Sequence, residues 1–420
     1  MQLLLAAALL AGVARVDVTP PNGIQLAGYS ATNRPSDGVL DPLYAQALVL
    51  DDGKSKAAIV TLDLIFTPPD AEMRAVRARV KASANVADVI LLASHTHSGP
   101  LFFDQKPWLA TLVDKISSAI EQADRNRKPA RIGAAWGQTQ IGFNRRYVPP
   151  EGAAVMHWRN ATKTSTFPVD PTVGVLRIDS EDAKPIAILV NYACHPVVFG
   201  PDNRKYSADF PGEMRKTIEA ALPGALAFYL QGGAGDINPY YDKTPLPENG
   251  VERMRAIGRQ LGEEVVRVAR TIRPEPSEPS VAVRVTEHEF EYRYDQTKTE
   301  ELIAKTARAP IARYPLWGDP LKLPVTALLI NKQYAFVGMP AEPFVEFQMY
   351  LRAHSPLPFT YFLGYANGNV NYVPTINAAV RGGYGADNMI TRIEVGAGEE
   401  MIHRGLVSLY TLLGKFGEKK

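Results

Sequence analysis

The sequence predicts an α/β fold, a layered α-β-α sandwich built on a mostly buried mixed sheet. Its 420 residues, 46% of them hydrophobic, are enough to bury a large core. Short segments rich in Val, Ile, Leu and Ala recur without strict alternation, as expected of strands covered on both faces. Helical patterns separate most of these segments, and strands interleaved with helices favour a layered α/β domain.

The predicted elements follow in chain order. Strands are predicted at Tyr44–Leu50, Ala57–Leu64, Val86–Ala93, Thr172–Ile178, Ile186–Tyr192, Ala225–Leu230, Thr326–Ile330, Tyr334–Val337 and Phe359–Leu363. Helices are predicted at Asp70–Ser83, Trp108–Asp124, Phe210–Ala221, Val251–Thr271, Phe344–Ala353 and Glu399–Leu413. Alternating residues at Ser280–Tyr294 indicate an amphipathic β-ribbon. The proline-rich stretch before it is a connection and not a domain boundary, so a single domain is expected over residues 15–415.

The N-terminal run MQLLLAAALLAGVA, residues 1–14, is similar to the apolar part of a signal peptide and predicts a secreted or periplasmic protein. No Lys or Arg precedes this short run, so the alternative is a buried first strand in a cytoplasmic protein. Charge is nearly balanced, with 46 basic and 44 acidic residues, which argues against nucleic acid as a partner. The single cysteine, Cys194, excludes an intramolecular disulfide bond.

The segment Ser94-His95-Thr96-His97-Ser98-Gly99-Pro100 directly follows an apolar strand. Residues i and i+2 of a strand share a face, so His95 and His97 are expected to meet one site at the strand's carboxyl end. Imidazole nitrogen is a common zinc ligand. The pair alone leaves open the alternative of two unrelated histidines at a strand end.

A second histidine motif, Cys194-His195-Pro196, follows another apolar strand. Two strand ends with the same arrangement favour ligands over structural histidines. Cys194 is expected to face the core, because neighbouring residues of a strand face opposite sides.

Two further segments are candidates for the site. The glycine-rich stretch Gln231–Pro239 includes Asp236 and Asn238, allows close backbone approach to a ligand and could present backbone N–H groups to an oxyanion. On this feature alone, a plain tight turn is the preferred interpretation. Glu342, in Pro340-Ala341-Glu342-Pro343-Phe344, lies at a predicted helix entrance, where it is either a capping group or a metal ligand. A Gly/Asn-rich loop with several tyrosines follows the last strand, and such loops often carry function.

Together these motifs resemble the catalytic domain of the neutral/alkaline non-lysosomal ceramidase family, in order, content and spacing from about Val13 to the C-terminal end. The resemblance implies a zinc-dependent amidohydrolase in which His95, His195, Glu342 and Tyr372 bind Zn²⁺. It implies that His97, Tyr384 and Arg145 contact the substrate. Tyr372 and Tyr384 are twelve positions apart, as the family's two functional tyrosines are. Arg146, adjacent to Arg145, is the alternative arginine.

The sequence departs from the family at two points. Asn238 stands where the family has a serine assigned as nucleophile or oxyanion-binding group, and an amide cannot be acylated. The chain is also expected to lack the C-terminal β-sandwich domain of the larger ceramidases. Both departures leave the metal site in place but make the identity of the substrate open.

The resulting hypothesis is hydrolysis of an N-acylsphingosine or a related N-acyl lipid by zinc-activated water. Asn238, the zinc ion and Tyr384 would hold the oxyanion, and His97 would serve the leaving nitrogen. Asp236 and Asp63 are candidates for orienting ligands. The alternatives are an esterase or amidase acting on a small non-lipid substrate, and a catalytically silent ligand-binding homologue. Expected partners are the substrate and, transiently, a membrane surface, with no obligate protein partner.

Overall fold

The computed structural model describes residues 8–29, 33–102, 105–160, 162–295, 297–298, 301, 320–387 and 390–416. The strands are β1 (Leu10–Asp17), β2 (Gly38–Val39), β3 (Tyr44–Asp51), β4 (Lys56–Leu62), β5 (Asp88–Ala93), β6 (Lys128–Gln138), β7 (Gly142–Asn144), β8 (Arg146–Tyr147), β9 (Val155–Met156), β10 (Thr172–Ser180), β11 (Pro185–Tyr192), β12 (Lys205–Tyr206), β13 (Leu226–Gln231), β14 (Ile237–Pro239), β15 (Val281–Phe290), β16 (Leu321–Ile330), β17 (Tyr334–Gly338), β18 (Glu342–Pro343), β19 (Phe359–Leu363) and β20 (Tyr372–Val373). The helices are α1 (Asp70–Ala84), α2 (Lys106–Arg125), α3 (Phe210–Ala221), α4 (Gly250–Ala269), α5 (Val345–His354), α6 (Ile376–Arg381) and α7 (Ala397–Leu412), with one 3₁₀ turn at Leu246–Glu248.

The main sheet is mixed and has eight strands in the order β13-β11-β10-β6-β1-β3-β4-β5. The pairs β4–β5 and β11–β13 are parallel, and the other neighbours are antiparallel. Strands β3, β4 and β11 are buried along almost their whole length. The α/β class and the mostly buried mixed sheet are thus confirmed.

A second sheet, β15-β16-β17-β19, packs on one face of the main sheet. Apolar side chains from both sheets form one core between them, for example Ile59 and Leu176 from the main sheet with Leu328 and Phe336 from the second. Helices cover the outer faces: α1 and α2 on one half of the main sheet, α3 and α4 on the other, and α5 and α7 on the second sheet. The sandwich therefore has two sheet layers between its helices.

The segment Ser280–Tyr294 contributes strand β15 and not a self-contained ribbon. It pairs along its length with β16. Burial explains the sequence pattern: Val281 and Phe290 are buried at the two ends, and the residues between them are exposed or half-buried, as on the edge of a sheet.

Strand β1 overlaps the predicted signal peptide. Leu9 and Ala11 are buried, and Leu10 and Ala11 pair with β6 while the whole strand pairs with β3. Residues 1–7 lie outside the described residues. Export therefore stays a prediction. Cleavage of a signal peptide after residue 14 would remove part of strand β1 from the main sheet. No helix in the described part of the chain is long and apolar enough to cross a membrane.

Candidate active site

The candidate site forms where the carboxyl ends of β5, β11 and β13 meet. Gln231, the last residue of β13, joins the three ends: its Nε2 donates to the carbonyl of Ser94 at 2.9 Å and to that of Cys194 at 3.0 Å. Because β4–β5 and β11–β13 are parallel pairs, their following loops emerge on the same edge. The two histidine motifs of the sequence begin here.

His95 and His97 converge, with Nε2 atoms 3.2 Å apart. The reason differs from the strand alternation that the sequence suggests. β5 ends at Ala93, and His95 lies beyond it in a left-handed conformation with φ 67°. The segment after β4 holds it, because its N–H donates to Leu64 and its Nδ1 donates to the carbonyl of Ile65 at 2.7 Å.

His195 is held in the same manner by the glycine-rich segment. Its Nδ1 contacts the carbonyl oxygen of Ala234 and lies 3.2 Å from that of Ile237. A histidine that donates Nδ1–H to a carbonyl presents the lone pair of Nε2, which is the usual arrangement of a metal ligand. Nε2 of His195 has no hydrogen-bond partner among the described residues.

Glu342 reaches this cluster from a short strand and not from a helix cap. β18 pairs in parallel with β20, which places Glu342 directly beside Tyr372. Helix α5 begins only at Val345. Oε2 of Glu342 lies 3.3 Å from Nε2 of His95 and 3.5 Å from Nε2 of His195. This oxygen is buried and has no hydrogen-bond partner in the described part of the chain.

Nε2 of His95, Nε2 of His195 and Oε2 of Glu342 therefore converge, and a cation satisfies such a set. Nε2 of His195 and Oε2 of Glu342 have no hydrogen-bond partner among the described residues, and Nε2 of His95 contacts Nε2 of His97. The described residues offer two overlapping sets, because the ligand atoms of His95, His97 and His195 also lie within 4.8 Å of one another. His97 differs from the other two, since its Nδ1 is buried without a partner and no carbonyl fixes its tautomer. The set of His95, His195 and Glu342 is therefore the better candidate for a metal site.

Electrostatics in the pocket support this assignment. Burial lowers the pKa of His195 to about 3, against the raising effect of Glu342. Burial also lowers the pKa of His97, with the nearby His95 and His195 adding to the effect. Although burial opposes ionisation of Glu342, the two neighbouring histidines His95 and His195 hold the pKa of its carboxyl well below the usual range. At neutral pH His97 and His195 are therefore neutral.

Tyr372 packs beside the metal-ligand set. Its ring stacks on His195 with centroids 6.5 Å apart. Burial and the charge of Glu342 raise the pKa of its phenol, and the charge of Arg145 opposes them. The position fits the fourth ligand that the sequence suggests, and ionisation of this phenol would have to be driven by the cation itself.

Tyr365 is a site residue that sequence reasoning missed. Its ring stacks on His95 with centroids 4.2 Å apart, and its backbone is left-handed with φ 56°. The side chain is fully buried, and its hydroxyl has no hydrogen-bond partner among the described residues. Its place in the tyrosine-rich loop after β19 is the signal that could have pointed to it.

Arg145 and Asn238 form the polar wall of the site. Nη1 of Arg145 donates to Oδ1 of Asn238 at 3.0 Å, and Nη2 donates to the carbonyl of Gly235 at 2.6 Å. Nδ2 of Asn238 donates to Oδ2 of Asp242 at 2.9 Å, which uses one of its two amide hydrogens. Asp242 was not singled out in the sequence, because nothing local marks a buried carboxylate four residues after Asn238. Arg146 instead donates to the carbonyls of Ala378 and Gly382 and has a structural role.

Aromatic rings line the mouth of the site. The guanidinium of Arg145 lies over Tyr372, Tyr384 and Trp158 at 5.5, 5.1 and 5.6 Å from the ring centroids. Tyr384 is 37% exposed, and its ring meets the edge of Trp158 at 5.1 Å. Nζ of Lys243 also lies over the Trp158 ring, 5.0 Å from the ring centroid. Trp158 and Lys243 are further residues that the sequence did not indicate.

The glycine-rich segment allows close packing of the backbone. The N–H groups of Gly232, Gly233 and Gly235 donate to Tyr192, Gln348 and Pro343, so these three are committed elsewhere. A Cβ on Gly235 would come within 2.6 Å of the carbonyl oxygen of Glu342. Glycine is needed there so that the segment can approach β18.

Asp236 and Asp63, the two aspartates suggested as orienting groups, stabilise other parts of the fold. Asp236 accepts from Asn144 at 2.6 Å and from the N–H of Val345 at 2.9 Å, which fixes the start of α5. Asp63 forms a bidentate ion pair with Arg215, with both contacts 2.7 Å. Neither touches a metal-ligand candidate, but Asp63 precedes the Leu64–Ile65 segment that holds His95.

The remaining predictions concern residues away from the pocket. Cys194 is buried in the core as predicted, and burial raises the pKa of its thiol. His157, His354 and His403 are exposed and His288 is half-buried, which agrees with their interpretation as structural or surface residues.

Comparison with known proteins gives one family. The model of the family described as neutral/alkaline non-lysosomal ceramidase, N-terminal, matches residues 9–241. Neutral ceramidase A of Dictyostelium discoideum is 24% identical over 260 residues, which are 54% of this chain and 35% of that protein. The neutral ceramidase of Pseudomonas aeruginosa is 23% identical over 277 residues, which are 59% of this chain and 40% of that protein. The matches thus span well under half the length of these relatives.

Two solved structures show the same fold. The neutral ceramidase of Pseudomonas aeruginosa superposes with a TM-score of 0.79 at 20% identity, over 99% of this chain and 76% of that chain. A ceramidase complexed with C2 gives a TM-score of 0.77 at 18% identity over the same shares. With the family model covering more than half of the sequence, the chain belongs to the neutral/alkaline non-lysosomal ceramidase family.

Proposed function

We propose that the chain is a zinc-dependent hydrolase that cleaves the amide bond of an N-acylsphingosine or a related N-acyl lipid. The observation that carries the proposal is the convergence of Nε2 of His95, Nε2 of His195 and Oε2 of Glu342, of which the last two have no hydrogen-bond partner among the described residues. The family relationship adds the reaction, because the named relatives are ceramidases.

The donor set fits zinc well. Two imidazole nitrogens and one carboxylate oxygen are ligands of catalytic zinc sites, in which a further position remains for water or substrate. Tyr372 would complete the protein ligands. When bound, a zinc ion supplies Lewis-acid polarisation of the scissile carbonyl and acidifies the attacking water.

His97 would handle the proton. It begins neutral, because burial lowers its pKa, and its Nδ1 has no partner among the described residues. A neutral imidazole can accept a proton from the attacking water and deliver it to the leaving nitrogen. Gly28 makes room for this ring, since a Cβ there would come within 2.3 Å of it.

Asn238, Arg145 and Tyr384 would hold the substrate. The second amide hydrogen of Asn238 is available to an oxyanion, and its orientation is fixed by Arg145 and Asp242. Arg145 is itself locked by Asn238 and Gly235, so little side-chain entropy is lost on binding a polar substrate group. Asn238 cannot be acylated, which favours direct attack by water over a covalent intermediate.

The test combines metal content with hydrolysis of a fluorogenic N-acylsphingosine by wild type, Glu342→Gln and His403→Gln. We expect about one zinc per chain in wild type and in the surface control His403→Gln. Glu342→Gln should lose the metal, and its kcat/KM should fall on the order of a hundredfold or more. A Glu342→Gln protein that keeps both zinc and activity would refute the metal site.

Asn238 favours a second candidate, hydrolysis of a smaller non-lipid amide or ester by the same site. A series of acyl chain lengths separates the two: kcat/KM that rises steeply with chain length supports the lipid substrate, and indifference supports the second candidate. A gain of ceramide turnover in Asn238→Ser would likewise indicate a different natural substrate. Stoichiometric zinc without turnover of any ester or amide would indicate a silent, ligand-binding homologue.

A further inference from the structure

Exposed apolar and aromatic side chains border the mouth of the candidate site. We call them the apolar rim: Tyr147, Val155, Trp158, Ile376, Val380 and Tyr384. Their exposure ranges from 37% for Tyr384 to 79% for Val380, so they are not part of the core. Apolar surface that is grouped in this way marks a site of interaction, whereas scattered exposed residues need no explanation.

The rim is continuous. Tyr147 and Val155 face each other in the β8–β9 hairpin, and Trp158 follows this hairpin and meets Tyr384. Helix α6 joins the hairpin through two hydrogen bonds: the N–H of Ala154 donates to the carbonyl of Arg381 at 2.8 Å, and Nη1 of the Arg381 side chain donates to the carbonyl of Gly152 at 3.3 Å. Ile376 and Val380 are four residues apart on α6 and therefore share one face.

Cations accompany the rim. Arg159, Lys163 and Arg381 lie in the same segments, and none of the three forms an ion pair with a described residue. In residues 146–160, 162–168 and 376–381, Glu151 is the one acidic side chain. On the α6 side Glu399 accepts from the N–H of Ile376, so the positive charge lies on the hairpin side of the rim, at Arg159 and Lys163.

We propose that the apolar rim docks on an anionic lipid bilayer. Trp and Tyr prefer the boundary between headgroups and acyl chains, and unpaired Lys and Arg are attracted to anionic headgroups. A second copy of the chain is a poorer occupant, because a symmetric contact would place the same cations opposite each other. The surface serves the proposed function by bringing the mouth of the site to an amphiphilic substrate, but docking itself requires no catalysis.

The test is flotation of the full chain with vesicles of phosphatidylcholine alone and of phosphatidylcholine with phosphatidylserine. We expect wild type to float with the anionic vesicles and much less with the neutral ones. The double variant Val155→Ser/Val380→Ser should weaken this binding about tenfold, because it removes two apolar side chains that docking would bury in the bilayer. Arg159→Gln/Lys163→Gln should weaken it to a similar degree and reduce its salt dependence.

The matched control is Val285→Ser/Val407→Ser, whose valines are 50% and 47% exposed on β15 and α7, outside the rim. This variant should float as wild type does. Hydrolysis of a monomeric short-chain substrate should be unchanged in Val155→Ser/Val380→Ser. Failure of the docking proposal can therefore be distinguished from failure of the proposed hydrolase function. Absence of flotation in wild type, or equal loss in the control, overturns the proposal. A dimer that Val155→Ser/Val380→Ser dissociates would also overturn it, in favour of self-association.

Discussion

His95 and Tyr365 stack on each other at the centre of the site, and both have left-handed backbone, with φ 67° and 56°. Bulky residues adopt this conformation only when their surroundings compel it, and such strain is concentrated at functional sites. For His95 the compelling contacts are the two hydrogen bonds to Leu64 and Ile65. The backbone and Nδ1 of His95 are thereby fixed before a metal binds.

The site residues named from sequence lie together because each follows a strand or a short pair of strands. His95, His195 and Glu342 were accessible to sequence reasoning, since a histidine or carboxylate after an apolar run is a local signal. Asp242 and Trp158 were not, because their roles depend on contacts with Asn238 and Arg145 that only the fold creates. The predicted convergence of His95 and His97 is observed, but strand alternation does not explain it, because both residues lie beyond β5.

Tyr365→Phe should lower activity while raising stability. The ring keeps its stacking on His95, but the variant loses a hydroxyl that is buried without a protein partner, a group that costs about 1–3 kcal/mol. Burial raises the pKa of this phenol, so it is a donor at neutral pH, and we expect it to donate to the bound substrate. We expect kcat/KM to fall about tenfold and the free energy of unfolding of the metal-free protein to rise by about 1 kcal/mol.

The control for this change is Tyr361→Phe, which removes a buried hydroxyl in the core between the sheets. Its kcat/KM should stay at the wild-type value. Equal losses in the two variants would show that Tyr365 acts through packing alone.

At the scale of elements, each strand and helix that periodicity predicts overlaps an observed one, but the long strand β6 (Lys128–Gln138) and the short strands around the site were not predicted. α3 begins and ends as predicted, and β19 does as well. Strand β1 is the instructive exception, because a short apolar run with small residues fits a buried strand and a signal peptide equally well. The choice between them depends on the pairing of Leu10 and Ala11 with β6, which no local pattern reveals.

Deletion of residues 1–14 should destabilise the protein severely. Leu10 and Ala11 provide the pairing that joins the two halves of the main sheet, and the burial of Leu9, Ala11 and Ala14 would also be lost. We expect a loss of about 3–5 kcal/mol in the free energy of unfolding, measured by denaturant titration. Deletion of residues 1–7, which leaves β1 intact, is the control. A 1–14 deletion as stable as this control would make cleavage after residue 14 compatible with the fold.

The stability that α5 gains from the ion pair between its Arg352 and Asp170 should be lost at acid pH. Burial opposes ionisation, but Arg352 donates to both carboxylate oxygens at 2.7 and 3.1 Å and holds the pKa of Asp170 below its ordinary value of 3.8. A lowered folded-state pKa means that the folded protein binds fewer protons than the unfolded chain. The stability from this pair is therefore complete above pH 3.8 and is lost as the pH falls through the lower, folded-state value.

Asp170→Asn should accordingly cost about 2 kcal/mol at pH 6, because it breaks a largely buried pair with a partly exposed arginine. The difference from wild type should shrink when denaturant titrations are repeated toward pH 3. Asp182→Asn, which breaks an exposed pair with Lys184, should leave the free energy of unfolding at the wild-type value throughout. A difference for Asp170→Asn that persists unchanged at pH 3 would contradict the assignment.

At the scale of the whole molecule, the three metal-ligand candidates come from three different parts of the fold. His95 follows β5 in one half of the main sheet, His195 follows β11 in the other half, and Glu342 follows β17 in the second sheet. The sequence indicates that these strands exist but not which ones pair, because the order β6-β1-β3 and the separate second sheet depend on contacts between distant residues. The class of the fold could therefore be predicted, and its two sheet layers could not.

This arrangement predicts that zinc stabilises the protein globally. A cation held by all three parts binds the folded state and not the unfolded chain, so at a free concentration of about 100 Kd it adds about 2.7 kcal/mol to the free energy of unfolding. Thermal unfolding with zinc and with chelator should therefore differ by several degrees in wild type and in His403→Gln. Glu342→Gln removes the contribution of the second sheet and should lose most of this difference. If zinc raised the Tm of Glu342→Gln as much as that of wild type, the ion would be bound by the three histidines alone, and the second sheet would take no part in the metal centre.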